Sequence, residues 1–143
     1  MMVPTVISSL HVATGALAGA LIGSRRGAFW AGPLLHVAGD RMPHYDIDWR
    51  QFELASSIGG IVALAVARGP LDPATIGGLS SALPDAEHVL PLPRPGGKKL
   101  FPSHRIPGWH RPGGVPASVQ VLAAGAILGA LVAAGVAHRL RPG

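Results

Sequence analysis

Residues 117–137 are 21 consecutive positions without a charged side chain, and this stretch limits what the chain can fold into more than any other feature. A helix across a bilayer needs about 20 apolar residues, so the run reads as a spanning segment. Four apolar segments precede it. The first covers residues 4–22 and closes at Gly23-Ser24-Arg25-Arg26; the second covers residues 27–40, with Phe29-Trp30 near its start as an interfacial anchor. The third covers residues 51–67 and stops at Arg68-Gly69-Pro70. The fourth runs from Leu71-Asp72-Pro73 to Leu83-Pro84, with Asp72 placed as an N-cap and Pro73 in the first turn. Residues 85–116 hold seven prolines, a density at which no regular element is expected.

The pattern predicts an all-α fold: one helical membrane domain over residues 1–143, a bundle of about five segments with a long Pro-rich loop, integral to the membrane. Composition agrees, since 13% of residues are charged against about 25% in ordinary soluble proteins. Residues 1–23 lack a basic start, and His11 interrupts their apolar run, so the first segment is expected to be retained rather than cleaved as a signal peptide. Gly15, Gly19 and Gly23, and again Gly125 and Gly129, fall four apart and leave bare helix stripes. Such stripes let a neighbouring helix approach closely, which offers a route to oligomers.

The net charge of +5 comes from twelve scattered Lys and Arg. With no basic stripe and few aromatics, nucleic acid is not the expected partner; loops resting on phospholipid head groups are. The chain has no cysteine. Disulfides, thiolate zinc sites and cysteine nucleophiles are excluded, and any metal must rest on His nitrogen and carboxylate oxygen.

Residues 36–48 concentrate His36, Asp40, His44, Asp46 and Asp48 in a chain otherwise poor in charge. His36 and Asp40 stand four apart on a helix end and share a face. A second cluster is Asp85, Glu87 and His88, just after the fourth segment; a third is His104-Arg105 with His110-Arg111. If the segments alternate in direction, His11, residues 36–48 and residues 85–116 come to one side. Six of the seven His and, with the acid at the near end of the third segment, six of the seven acids then gather there, leaving His138 and Asp72 opposite. Such donors suit a divalent cation, with zinc expected and manganese or magnesium as alternatives.

In the expected arrangement His36, Asp40, Asp85 and His88 ligate directly, and His11, His44, Asp46 and His104 complete a second ion or the outer shell. An ion-activated water would attack a phosphoester, Arg105 or Arg111 would hold the phosphate, and Glu87 or His110 would move protons. Membrane lipid or a small phosphoester would be the substrate. The competing readings are a non-catalytic metal-binding or scaffold membrane protein using the same residues, and a soluble Ala-rich bundle. Gly96-Gly97-Lys98-Lys99 lacks the spacing of a phosphate loop, and Gly78-Leu79-Ser80-Ser81-Ala82 lacks the closing glycine of a nucleophile elbow.

The motifs also resemble a family of small membrane-bound, metal-dependent hydrolases typified by an inner-membrane protein of bacteria. That family carries an early His, a Leu-Pro-Asp-x-Asp-His motif after an apolar helix, a His-Arg-Gly-x-Thr-His motif and a His-x-x-x-Asp pair at a helix end. His11 looks like the first; Leu83-Pro84-Asp85-Ala86-Glu87-His88 is similar to the second. His104-Arg105 with His110 resembles a loosened third, and His36 with Asp40 the fourth. Glu87 stands where the motif has Asp, Ile106-Pro107-Gly108-Trp109 widens the third motif, and the His-x-x-x-Asp pair comes first rather than last. The resemblance implies metal-dependent hydrolysis of an ester.

Overall fold

The structure, a computed structural model, describes residues 7–141. Among these residues it is all-helical, with α1 Ser8–Ile22, α2 Arg25–Gly39, α3 Arg50–Arg68, α4 Pro73–Ala82, the short α5 Ala86–Val89 and α6 Pro102–Arg105, and α7 Ala117–Arg139. The start expected for the first segment at Pro4 lies outside the described residues. Local chemistry accounts for the boundaries. The α1 helix ends at Gly23, whose φ of 71° is a left-handed conformation that glycine adopts without strain. One residue later the Ser24 hydroxyl accepts the Gly27 N–H and opens α2. Asp72 caps α4 by accepting the Ala74 N–H at 2.8 Å, with Pro73 in the first turn, as the sequence predicts.

The core is built from small side chains: Val12, Ala16, Leu64 and Ala74 are fully buried, with Ile61, Leu128, Leu131 and Val132 packed against them. Small residues bury little area each, so close approach of backbones supplies the dispersion contacts instead. At the α1–α4 crossing, a Cβ on Gly15 would lie 2.4 Å from the Gly77 carbonyl oxygen, and a Cβ on Gly77 would lie 2.2 Å from that of Gly15. Neither site admits alanine without separating the helices. The α1 stripe expected to invite a second copy is therefore filled by α4 at Gly15 and Gly19, while Gly125 and Gly129 of α7 have nothing within 4 Å of a Cβ position.

The five longer helices alternate in direction. At one end Arg25 Nε donates to the Leu71 carbonyl at 2.9 Å, and Gly135 of α7 packs on Ala67 of α3. At the other end Gln120 of α7 donates to the Tyr45 carbonyl at 2.8 Å and its Oε1 accepts the Ile7 N–H at 3.4 Å. The predicted clusters share that second end, hereafter the site end.

Two expectations need correction. Of the described helices only α7, with 23 residues and 17% of its apolar window buried, is long and apolar enough to cross a membrane. The α1, α2 and α4 helices have 15, 15 and 10 residues, short of the about 20 that a span needs. The α3 helix is 19 residues long but carries Arg50, Gln51, Glu53, Ser56 and Ser57 in its first half. A bundle of five spanning segments is thus not what the helix lengths give. The Pro-rich connection is also not devoid of regular structure: 3-10 turns at Leu83–Asp85 and Pro95–Gly97 join α5 and α6. Short helical turns start readily at Pro84, Pro95 and Pro102, because proline at a first helical position loses no hydrogen bond.

Candidate metal centre

The α2 helix projects His36 from its last turn and ends at Asp40, and both side chains are completely buried. The α1 helix supplies His11 from the neighbouring face, its ring stacked on that of His36 with centroids 3.9 Å apart. Gly39 makes room for it, since a Cβ there would lie 2.9 Å from His11 Cε1. The 3-10 turn after α4 brings in Asp85, and α6 brings in His104. The loop that follows returns over the site, pinned where Trp109 Nε1 donates to the Val37 carbonyl at 3.1 Å and where backbone bonds tie His44 and Tyr45 to Arg111 and Val115. That return delivers His110.

The result is a close gathering of donors around Asp40. Its Oδ1 lies 3.2 Å from His11 Nε2, and its Oδ2 lies 3.2, 3.5 and 3.8 Å from the Nε2 atoms of His36, His104 and His110. Asp85 Oδ1 lies 3.5 Å from His36 Nε2 and 3.7 Å from His104 Nε2. Three triads could each hold an ion: His11, His36 and Asp40; His36, Asp85 and His104; Asp40, His104 and His110. Adjacent ligands around a divalent ion with bonds of about 2.0–2.2 Å stand roughly 3.0–3.6 Å apart; four of the spacings, at 3.2–3.5 Å, fall in that range and two, at 3.7 and 3.8 Å, lie just beyond it.

Proton positions sharpen the fit. His36 Nδ1 donates to the Ser81 carbonyl at 2.8 Å, and His104 Nδ1 donates to Glu87 Oε1 at 2.5 Å. In the neutral rings both Nε2 atoms then carry lone pairs, and these face each other at 3.4 Å. Two lone pairs so placed repel unless a proton or a metal cation lies between them. A carboxylate or carbonyl behind each ring is the usual outer support of a ligating imidazole. Both oxygens of Asp40 and of Asp85, His11 Nε2, and both ring nitrogens of His110 are buried without an aligned hydrogen-bond partner. The chemistry of the set and its unmet polar atoms both suit a divalent cation.

Burial alone would raise the Asp40 carboxyl pKa, but the imidazoles of His104, His11 and His36 outweigh it and hold the pKa far below the ordinary carboxylate range. Burial likewise opposes charge on Glu87, and the N–H groups of Leu100 and Phe101 together with His104 reverse it, lowering the pKa. With both oxygens taken, Glu87 orients His104 and is badly placed to carry protons as first expected. His110 falls with Asp40 and His104 as a donor rather than standing apart as an acid or base. Arg105 lines a cleft of about 270 Å³ with Ser103, His104, Gly108 and His110. Arg111 contributes its carbonyl to His44.

Three expected ligands do not join these triads. His88 Nδ1 accepts from Lys99 Nζ at 2.8 Å, which leaves the ring proton on Nε2 and no lone pair for a metal. Its ring instead lies 4.2 Å from that of His104. Burial, with the neighbouring His104 ring and the positive charge of Lys99, lowers its pKa to about 4. His44 donates from Nδ1 to the Met42 carbonyl, and its Nε2 lies 3.4 Å from Asp46 Oδ1, so the two form a pair beside the centre. Two residues escaped the sequence reading. Glu53, in the first turn of α3, has a buried, unpartnered Oε1, and burial with the charges of Asp85 and Asp46 raises its pKa to about 7. Gln120 ties α7 to the site end. Gln120 is a lone polar residue in the apolar run of α7, which was the available signal; Glu53 sits among the polar residues that open α3 and gave none. Comparison of the chain with protein-family models, with curated proteins and with solved structures finds no match.

Proposed function

We propose that this chain is a metal-dependent hydrolase of phosphoesters, with zinc as the ion and with α7 anchoring it in a membrane so that the site end lies at the head-group layer. The observation that carries the reading is the pair of Nε2 lone pairs of His36 and His104, turned toward each other and toward Asp40 and Asp85 by partners behind each ring. His11, His36, Asp40, Asp85, His104 and His110 would hold the metal. A divalent ion supplies Lewis acidity and an acidified water.

The chain's own residues do the rest. Arg105, on the cleft wall, binds the phosphate charge. Glu87 fixes the His104 ring. Glu53 Oε1 can hold a proton at neutral pH, since its pKa lies near 7. A closed metal site would serve structure alone, whereas His104 and His110 border an opening, which favours catalysis. The α7 helix begins at the site end, so a membrane-seated α7 would place that opening where phospholipid phosphates lie.

The test is hydrolysis of bis(p-nitrophenyl) phosphate and of mixed phospholipid micelles by detergent-purified protein. Activity should vanish with chelator, return with zinc, and be absent in Asp85→Asn. Metal retention without turnover on either substrate would refute the hydrolase reading and leave a metal-binding protein.

A further inference from the structure

The donors outnumber what one ion can use. Four imidazole Nε2 atoms and three carboxylate oxygens, from His11, His36, His104, His110, Asp40 and Asp85, converge at the site end. A zinc ion with nitrogen and oxygen ligands takes about four. A neutral imidazole nitrogen serves one ion, but a carboxylate can serve two. The triads divide accordingly. The set His11, His36, Asp40 and the set Asp40, His104, His110 share only Asp40. The remaining triad takes His36 from one, His104 from the other, and adds Asp85. Asp40 also presents its two oxygens differently, with Oδ1 toward His11 and Oδ2 toward His36, His104 and His110.

We propose that the centre holds two divalent cations, one on His11 and His36 and the other on His104 and His110, with Asp40 shared between them and Asp85 spanning the pair. The inference rests on the metal-centre reading above and adds its stoichiometry. Paired ions about 3.5–4 Å apart stabilise both the attacking and the leaving oxygen of a phosphoester displacement, which is chemistry a phosphodiester needs more than a carboxylic ester does. His11 thus gains a role on the side of Asp40 away from His104 and His110.

The experiment is zinc titration of chelator-stripped, detergent-purified full chain, with bound zinc measured by mass spectrometry after gel filtration. Wild type should saturate at two equivalents, and His11→Ala and His110→Ala at one each. Zinc K-edge absorption of the two-equivalent wild type should show zinc–zinc scattering at about 3.5–4 Å. If either variant fails to fold, the wild-type stoichiometry and scattering still decide. Saturation at one equivalent without zinc–zinc scattering overturns the two-ion proposal but leaves the metal centre intact. No bound zinc overturns both.

Discussion

The two ends of the bundle hold polar residues in opposite ways. At the far end, Asp72 Oδ1 accepts from the Ala74 N–H at 2.8 Å and from Arg68 Nε at 2.9 Å. There the Thr75 hydroxyl donates to the Gly69 carbonyl at 2.8 Å, and Arg25 serves Leu71. Every polar group just named has an internal partner. At the site end, Asp40, Asp85, His11 and His110 are buried with atoms that no aligned donor or acceptor reaches. A buried polar group left unpaired costs about 1–3 kcal/mol, so the site end carries a penalty that the far end does not. A bound cation would remove that penalty at the site end, whereas the far end has none to remove.

Substitutions can break this contrast. The largest effect is expected for Asp40→Asn, which removes the charge that all four imidazoles face. Zinc affinity, measured by competition with a chromophoric chelator, should fall more than about 100-fold, beyond the about 10–100-fold loss typical of a residue supporting a ligand. Glu87→Gln should fall within that supporting range, because the neutral amide holds His104 less firmly; unchanged helical circular dichroism would show that the loss is local.

Asp72→Ala gives the mirror image. Loss of the cap and of the Arg68 pair should lower unfolding stability by about 1–2 kcal/mol, while zinc affinity stays as in wild type. A drop in affinity there would mean that the two ends are not independent.

The smallest expected effect is a pH dependence confined to the site end. His88 has a folded pKa of about 4 against an ordinary value of 6.5. Between those values the unfolded chain binds more protons than the folded one, so stability rises with pH. The contribution is fully present above pH 6.5 and is lost as the pH falls to 4. Thermal melts of stripped protein should therefore decline across that window, and His88→Gln should flatten the decline by a few degrees.

Much of this contrast was legible in sequence. Helix ends at Ile22, Gly39, Arg68 and Ala82 follow from Gly23, Asp40, Gly69 and Leu83-Pro84, since glycine and proline stop helices for local reasons. The His36–Asp40 pair follows from helical spacing, and its placement at one end with His11, Asp85 and His104 follows from alternating direction. What was not legible depends on the path of residues 85–116. Motif order made His88 a ligand, but Lys99, eleven positions later, returns to occupy its Nδ1. Glu87 looked like a free acid until the backbone of Leu100 and Phe101 folded onto it. The number of spanning segments was misjudged because apolar composition also suits helices packed on one another through Gly15 and Gly77.

The central claim is that the site end binds divalent metal on His36 and His104 with the carboxylates of Asp40 and Asp85. Diffraction from crystals of the full chain grown with zinc, with data collected on both sides of the zinc edge, tests it most directly. The account predicts an anomalous peak within bonding distance of His36 Nε2 or of His104 Nε2 and of a carboxylate oxygen of Asp40 or Asp85. No anomalous peak at that position, with His36 and His104 hydrogen-bonded to each other through a shared proton, would contradict it.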